Sequence, residues 1–362
     1  MRTIVLGGMG NFGARIVRAL ARDPQIELIV AGRRIPPAGN GTGIRREVLD
    51  IAAPDFSVRL KALEPRLVIH CVGPFQRQDY SVARASLGAG AHYVDLADGR
   101  RFVAEFPDTL ASCANKAQRT AICGASTLPG LSSAVVEDLR HGLQELHSIE
   151  IAIAPGQLAP RGHATLAAVF SYLGRPFPIW RQGRWERAWG WMDLRRIRLD
   201  LGTRFAACCD VPDLALFPSH FRVSQTVTFH AALEFGVQHL ALWTLAAVRR
   251  AGLPLPVDRW AVGLNRWANL FDPYAGDQGG MWVRVVGRLD GRRVQRVWQL
   301  TAPALNGPEI PCLPAILLAR RLARDPLPQP GAWACLGLLR LSDFAAEFAR
   351  GGITTRTEEL PA

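Results

Sequence analysis

The chain has 362 residues, 49% of them hydrophobic and 20% charged, and a formal net charge of +12. These proportions are those of a folded globular protein and exclude a disordered, collagen-like or disulfide-stapled chain; the length exceeds what one hydrophobic core usually serves, so two domains are expected. The positive excess is almost all arginine, Lys61 and Lys116 being the only lysines, and it is scattered in pairs such as Arg33-Arg34, Arg195-Arg196 and Arg320-Arg321, so no nucleic-acid partner is expected.

The first apolar run, residues 3–6, enters a strand at once, without the basic, apolar and cleavage regions of a signal peptide, which points to the cytoplasm. Gly8-x-Gly10-x-x-Gly13 follows and leads into helical patterning over 12–21. Strand, glycines and helix in that order form a dinucleotide fingerprint. Gly8 serves the tight turn, Gly10 lets a pyrophosphate approach, Gly13 permits close helix packing, and Asn11 and Phe12 open a helix whose free N–H groups meet the phosphates. The second strand, 27–31, runs into Gly32-Arg33-Arg34, where an NAD-binding protein carries an acidic residue. Arg33 and Arg34 instead suit a 2′-phosphate, which favours NADP(H), unless the pair is simply solvated at a strand end.

Pro36, Pro37, Gly39, Asn40, Gly41 and Gly43 make the next crossover a loop. The third strand, 45–49, closes on Asp50, which suits either an acceptor for the adenine amino group or a cap before Pro54. After helical patterning at 57–63 and a strand at 67–72 comes Gly73-Pro74-Phe75, at the edge where ligands bind in such sheets. There Gly73 and Pro74 admit the nicotinamide ribose and Phe75 walls the ring, or the three form a rigid turn. A helix at 81–89 precedes the strand 92–96, which places Tyr93 and Asp95 on one face, as candidates for proton transfer or amine binding, or else packed and capping. A helix at 101–117 and a strand at 120–123 lead to Ser126 and Thr127, whose hydroxyls suit a substrate carboxylate or carbonyl, or a turn.

This alternation predicts an α/β protein with an N-terminal Rossmann domain, a doubly wound parallel sheet over 1–145. Beyond a helix at 132–142 and a strand at 148–154 the pattern changes. Trp180, Trp185, Trp189 and Trp191 cluster, and strands are predicted at 222–229, 281–289 and 293–301, the last two joined at Asp290-Gly291, giving a second, α+β domain over 146–312. Helical patterning at 315–323 and 343–350 makes 313–362 a helical segment that packs back on the first domain. Arg161 and His163 offer an anion contact or a plain surface. Residues 226–248 are apolar but interrupted by His230, Glu234, Gln238 and His239, so a buried or interface helix is preferred to a monotopic membrane contact.

Seven cysteines without a C-x-x-C pair argue against zinc and against a disulfide framework, and H-E-x-x-H is absent, so no metal site is expected. Tyr-x-x-x-Lys and G-x-S-x-G are missing too, which excludes the usual short-chain dehydrogenase set and a nucleophile elbow.

Four segments in order resemble the saccharopine dehydrogenase-like oxidoreductases: Gly7-Gly8-Met9-Gly10-Asn11-Phe12-Gly13, Cys71-Val72-Gly73-Pro74-Phe75, Gly90-Ala91-His92-Tyr93-Val94-Asp95-Leu96, and Gly124-Ala125-Ser126-Thr127-Leu128-Pro129-Gly130-Leu131-Ser132-Ser133. Gly307-Pro308-Glu309-Ile310-Pro311 adds a weaker match. The resemblance implies NADP(H) on a Rossmann domain, hydride transfer to or from a carbonyl, imine or activated alkene of a small molecule, and a second domain that carries substrate surfaces and often the oligomer contact, here of a homodimer. The Trp-rich middle is not that of the lysine-pathway enzymes, so saccharopine is not carried over as substrate. The other reading is a non-catalytic NADP(H)-binding or membrane-associated interaction protein.

Overall fold

Six strands of the first sheet come from the N-terminal part of the chain, β1 (Arg2–Leu6), β2 (Glu27–Gly32), β3 (Arg45–Val48), β4 (Leu67–His70), β5 (His92–Asp95) and β6 (Thr120–Cys123), all but the charged edge strand β3 built on short apolar runs. β4 and β6 are buried at every residue, as a parallel sheet with helices on both faces requires. The computed structural model describes residues 1–34, 44–160, 169–253, 255, 257–303, 305–324 and 329–361. The expected 36–43 crossover, and Arg161 with His163, lie outside these described residues.

The sheet has the order Gly331–Ala334, β6, β5, β4, β1, β2, β3, and every neighbouring pair is parallel. The chain thus winds outward from β1 to β3, then crosses back to β4, leaving a topological switch point at the carboxyl ends of β1 and β4. Between the strands run α1 (Asn11–Leu20), α2 (Phe56–Ala62), α3 (Ser81–Gly88) and α4 (Arg100–Ala117). In α4 the buried side chains are Phe102, Val103, Phe106, Leu110 and Ala114, the three- and four-residue spacing that turns one stripe to the sheet. It ends where Gln118 adopts a left-handed conformation, φ 51°.

The chain divides into two compact units, Met1–Ser133 with Glu309–Leu339, and Ala134–Pro308 with Arg340–Ala362. The tail expected at 313–362 therefore divides. Helix Leu313–Arg324 and strand Gly331–Ala334 belong to the first unit, and strand Thr354–Pro361 to the second. The tail is not purely helical, because Ala332 and Ala334 are buried beside β6 and Thr354–Pro361 pairs along a strand of the second sheet.

The second unit contains α5 (Ser132–Leu139, which spans the boundary), β7 (Glu145–Ala154), β8 (Pro176–Arg181), β9 (Arg184–Trp189), β10 (Arg195–Leu199), β11 (Gly202–Cys208), α6 (Asp213–His220), β12 (Thr226–Ala232), α7 (Gly236–Arg250), α8 (Val257–Asn269), β13 (Gly279–Leu289) and β14 (Arg292–Ala302). Its sheet runs β10, β11, β12, β7, β13, β14, Thr354–Pro361, with β8 against β12 and β9 against β8. β12 and β7 are parallel and the other neighbours antiparallel. The β13–β14 turn falls at Asp290-Gly291 as expected, both with positive φ, 49° and 76°. Residues 226–248 do not form one helix. They divide into β12 and α7, because Thr226–Ala232 is drawn into the sheet between β11 and β7.

Candidate functional site

The loop after β1 is shaped by contacts that leave no room for side chains. Gly7, not Gly8, takes the left-handed conformation, φ 75°, and donates its N–H to the Ala31 carbonyl at 2.8 Å. Gly8 is instead wedged in: a Cβ there would lie 3.0 Å from both Val30 Cγ1 and the Val5 carbonyl oxygen. A Cβ on Gly13 would meet the Gly7 carbonyl oxygen at 2.2 Å, so α1 can approach the loop only through a glycine. Gly10 differs from both, since a Cβ there would find only the Gly7 oxygen, at 3.2 Å.

Gly10 is the N-cap of α1 and supplies no side-chain cap, and the first turn from Asn11 and Phe12 holds no acidic residue. The positive end of the helix is thus left for an anion. On its far side Arg15 pairs with Glu309 at 2.9 Å and Arg18 with the same carboxylate at 3.5 Å. The Cys312 thiol reaches the Phe12 carbonyl at 3.5 Å. The segment after Glu309 thereby braces α1 from behind.

Arg33 and Arg34 follow β2 directly, and both are exposed. Asp50 makes a local turn, its Oδ1 accepting the Ala52 N–H at 3.1 Å, and does not cap α2, whose N-cap is Asp55. Across the switch point, a Cβ on Gly7 would stand 3.0 Å from the Val72 side chain, so the loops after β1 and β4 touch. Gln78 holds the second loop by donating Nε2 to the Val72 carbonyl at 2.6 Å and the Pro74 carbonyl at 3.2 Å, leaving Gly73 and Pro74 half-buried.

Phe75 requires correction as a wall for a cofactor ring. It is buried, with its ring 5.0 Å from His70 edge-on and 5.5 Å from Phe102. Tyr93 and Asp95 require the same correction as catalytic groups, because they are 1% and 0% exposed. Tyr93 shares a hydrogen bond of 2.9 Å with His70 Nδ1 and stacks on Phe106. Burial pushes its phenol well above the ordinary range and holds the His70 imidazole down to about 3, so both stay neutral. Asp95 Oδ1 accepts the Ala97 and Gly124 N–H groups at 3.0 and 2.8 Å, while Oδ2 has no hydrogen-bond partner among the described residues. Burial pushes this carboxyl up to about 6, against the pull of the Gly124 and Ala97 amides and the Cys123 and Tyr93 side chains. These are groups inside the fold, not at its surface.

Ser126 and Thr127, at the carboxyl end of β6, are half-buried, and neither hydroxyl is used to cap the turn that follows.

The second unit presents a polar patch that the sequence reading overlooked. One sheet face buries Ile149, Ile151, Val227, Phe229, Val283 and Val285. The other sets small residues Ala152, Ala154, Ala206 and Ala232 beneath Ile197 and Leu199. On that second face Thr228, Glu150 and Arg284 occupy one row across β12, β7 and β13. Arg284 pairs with Glu150 and lies 5.6 Å over the Trp282 ring. Thr228 Oγ1, Arg284 Nε and, two residues along, His230 Nε2 are buried without a hydrogen-bond partner among the described residues; Asp193 stands 3.8 Å from His230 Nε2, beyond hydrogen-bond reach. Only period-2 alternation within 148–154 and 226–232 would have signalled a polar row there.

No family model matches the chain, and no curated protein does. Solved structures do. Saccharopine dehydrogenase (L-Glu forming) from Saccharomyces cerevisiae superposes with a TM-score of 0.69 at 13% identity, over 99% of this chain and 99% of that one. This is the saccharopine dehydrogenase fold. Homospermidine synthase from Legionella pneumophila, in complex with NAD, gives 0.62 at 12% identity over 100% and 91% of the two chains. C. glutamicum DAP dehydrogenase, in complex with DAP, gives 0.51 at 16% over 96% and 98%. The likeness extends through both units, beyond the 140 N-terminal residues whose segments carry the sequence resemblance.

Proposed function

We propose that the protein is an NADP(H)-dependent oxidoreductase of the saccharopine dehydrogenase-like type, moving hydride to or from a carbonyl, imine or activated alkene of a small metabolite. The observation that carries the reading is the loop of Gly7, Gly8, Gly10 and Gly13 at the switch point, with an uncapped α1 and a side-chain-free approach at Gly10. That cradle fits a pyrophosphate. Arg33 and Arg34, exposed at the end of β2, support the phosphorylated cofactor, since a guanidinium fork meets a 2′-phosphate with two parallel charge-assisted bonds. The cofactor, when bound, supplies the hydride chemistry.

The chain's part is to hold and orient. Gly73 and Pro74 border the same switch point, and the Ser126 and Thr127 hydroxyls are available to bind a substrate oxygen or carboxylate. In the second unit the row of Thr228, Glu150 and Arg284 is where a polar ligand would satisfy Thr228 Oγ1 and Arg284 Nε, which have no hydrogen-bond partner among the described residues. The test is NADPH consumption over a panel of ketones, cyclic imines and enones. Turnover with at least one class is expected; NADPH binding without turnover on any of them would leave a cofactor-binding protein with no dehydrogenase activity.

A further inference from the structure

Helix α7 is built the wrong way round for a helix of a globular domain. Its sequence, Gly236–Arg250, is apolar on nearly every side and has no acidic residue. An amphipathic helix normally buries its apolar stripe. Here the polar pair goes inside, with Gln238 2% and His239 0% exposed, and Ala246 is the only other buried residue. Gln238 donates to the Ala268 carbonyl at 3.1 Å, and the His239 ring packs 5.2 Å from Trp191 with neither ring nitrogen hydrogen-bonded among the described residues. Val237 and Leu240, one turn apart, are exposed, and Leu242, Trp243, Leu245 and Val248 are only half-buried.

Exposed apolar side chains recur along the chain after α7. Leu253 and Trp260 are exposed, Trp267 is half-buried, and the turn after α8 carries Leu270 at 69% and Tyr274 at 80% exposure. Isolated exposed hydrophobes are ordinary, but a run of them about an inverted helix marks an interaction surface. Residues 236–274 hold four arginines, Arg249, Arg250, Arg259 and Arg266, against two acids, Asp258 and Asp272, and Arg249 is turned to the Phe170 and Leu173 carbonyls. Arg250 and Arg266 are exposed, Arg250 lying 5.1 Å over the Trp189 ring.

We infer that α7, with Leu253, Trp260 and the turn at Leu270 and Tyr274, docks on an anionic lipid surface. Leucine, valine and tryptophan side chains beside arginines are the composition of a segment lying in the headgroup boundary, where apolar burial and attraction to anionic lipid add. A second copy of the chain fits less well, because a two-fold contact would set two positively charged surfaces against each other. The attachment lies on the bilayer and does not cross it, since no helix among the described residues is long and apolar enough to span one.

Flotation of the full chain with phosphatidylglycerol-containing vesicles, and with phosphatidylcholine vesicles, tests this. The wild type is expected to rise with the anionic vesicles, to be released by high salt, and to show a blue shift of tryptophan emission on binding. Val237→Gln with Leu240→Gln, and separately Leu270→Ser with Tyr274→Ser, are expected to weaken binding by about tenfold or more, as each pair removes two apolar anchors. All four side chains are exposed, and the wild-type flotation and its salt dependence stand without any variant. Wild-type protein that stays below the anionic vesicles, or that floats equally on both kinds, overturns the inference. A concentration-dependent dimer lost in Val237→Gln with Leu240→Gln, with no flotation, would overturn it in favour of a second copy.

Discussion

Asp95 accepts the Gly124 N–H at 2.8 Å, and this bond ties the carboxyl end of β5 to the loop that follows β6. The same oxygen takes the Ala97 N–H at 3.0 Å, so one buried carboxyl fixes two turns beside the candidate ligand edge.

The arrangement has a pH signature. With its carboxyl pushed up to about 6, Asp95 in the folded chain keeps a proton that the unfolded chain, titrating near 3.8, releases. The stabilisation is present in full below about pH 4 and is lost as pH rises through about 6, amounting to about 3 kcal/mol by neutrality. Asp95→Asn keeps the acceptor for both amides and cannot ionise. The stability of the wild type relative to this variant should therefore fall by about 3 kcal/mol between pH 4 and 7 in denaturant melts. A constant difference across that range would mean that Asp95 is not proton-linked to folding.

Two glycines of one motif should behave differently. Gly13→Ala forces a Cβ against backbone at 2.2 Å and should destabilise the first unit by more than about 2 kcal/mol. Gly10→Ala meets nothing closer than 3.2 Å and should melt within about 0.5 kcal/mol of the wild type while losing dinucleotide affinity. Thermal melts paired with NADPH titrations check both. Unchanged affinity in folded Gly10→Ala would remove Gly10 from the cofactor cradle.

Thr228 makes the opposite trade. Its hydroxyl is buried without a hydrogen-bond partner among the described residues, so Thr228→Val, of equal shape, should raise stability by about 1 kcal/mol. If that hydroxyl meets substrate, kcat/KM falls in the same variant while NADPH affinity stays put. A loss of stability in Thr228→Val would show that the hydroxyl already has a partner.

The first unit was legible because its physics is local. Strands covered on both faces read as continuous apolar runs, and 3–6, 27–31, 92–96 and 120–123 fell within a residue of β1, β2, β5 and β6. The glycine motif was equally plain, although the left-handed residue is Gly7, since G-x-G spacing does not say which of two adjacent glycines makes the turn. Tyr93 and Asp95 misled. Alternation put them on one face, but not whether that face looks outward, and α4 with Phe106 covers it. The second unit was harder. β8 to β11 carry Trp and Arg at outward positions, so neither period stands out, and β12 is met only in part by the strand expected at 222–229, because its apolar run continues into α7. Thr228, Glu150 and Arg284 meet only through long-range pairing of three strands, which no local spacing announces.

The proposed cofactor is a phosphorylated dinucleotide, held between the glycine loop and the arginines after β2. Titration of NADPH and NADH by cofactor fluorescence, in the wild type and in Arg33→Ala with Arg34→Ala, tests it most directly. The wild type is expected to prefer NADPH, and the variant to lose about 1–3 kcal/mol of NADPH binding per charged contact while NADH binding hardly changes. Equal losses for both cofactors, or no saturable binding of either by the wild type, would contradict it.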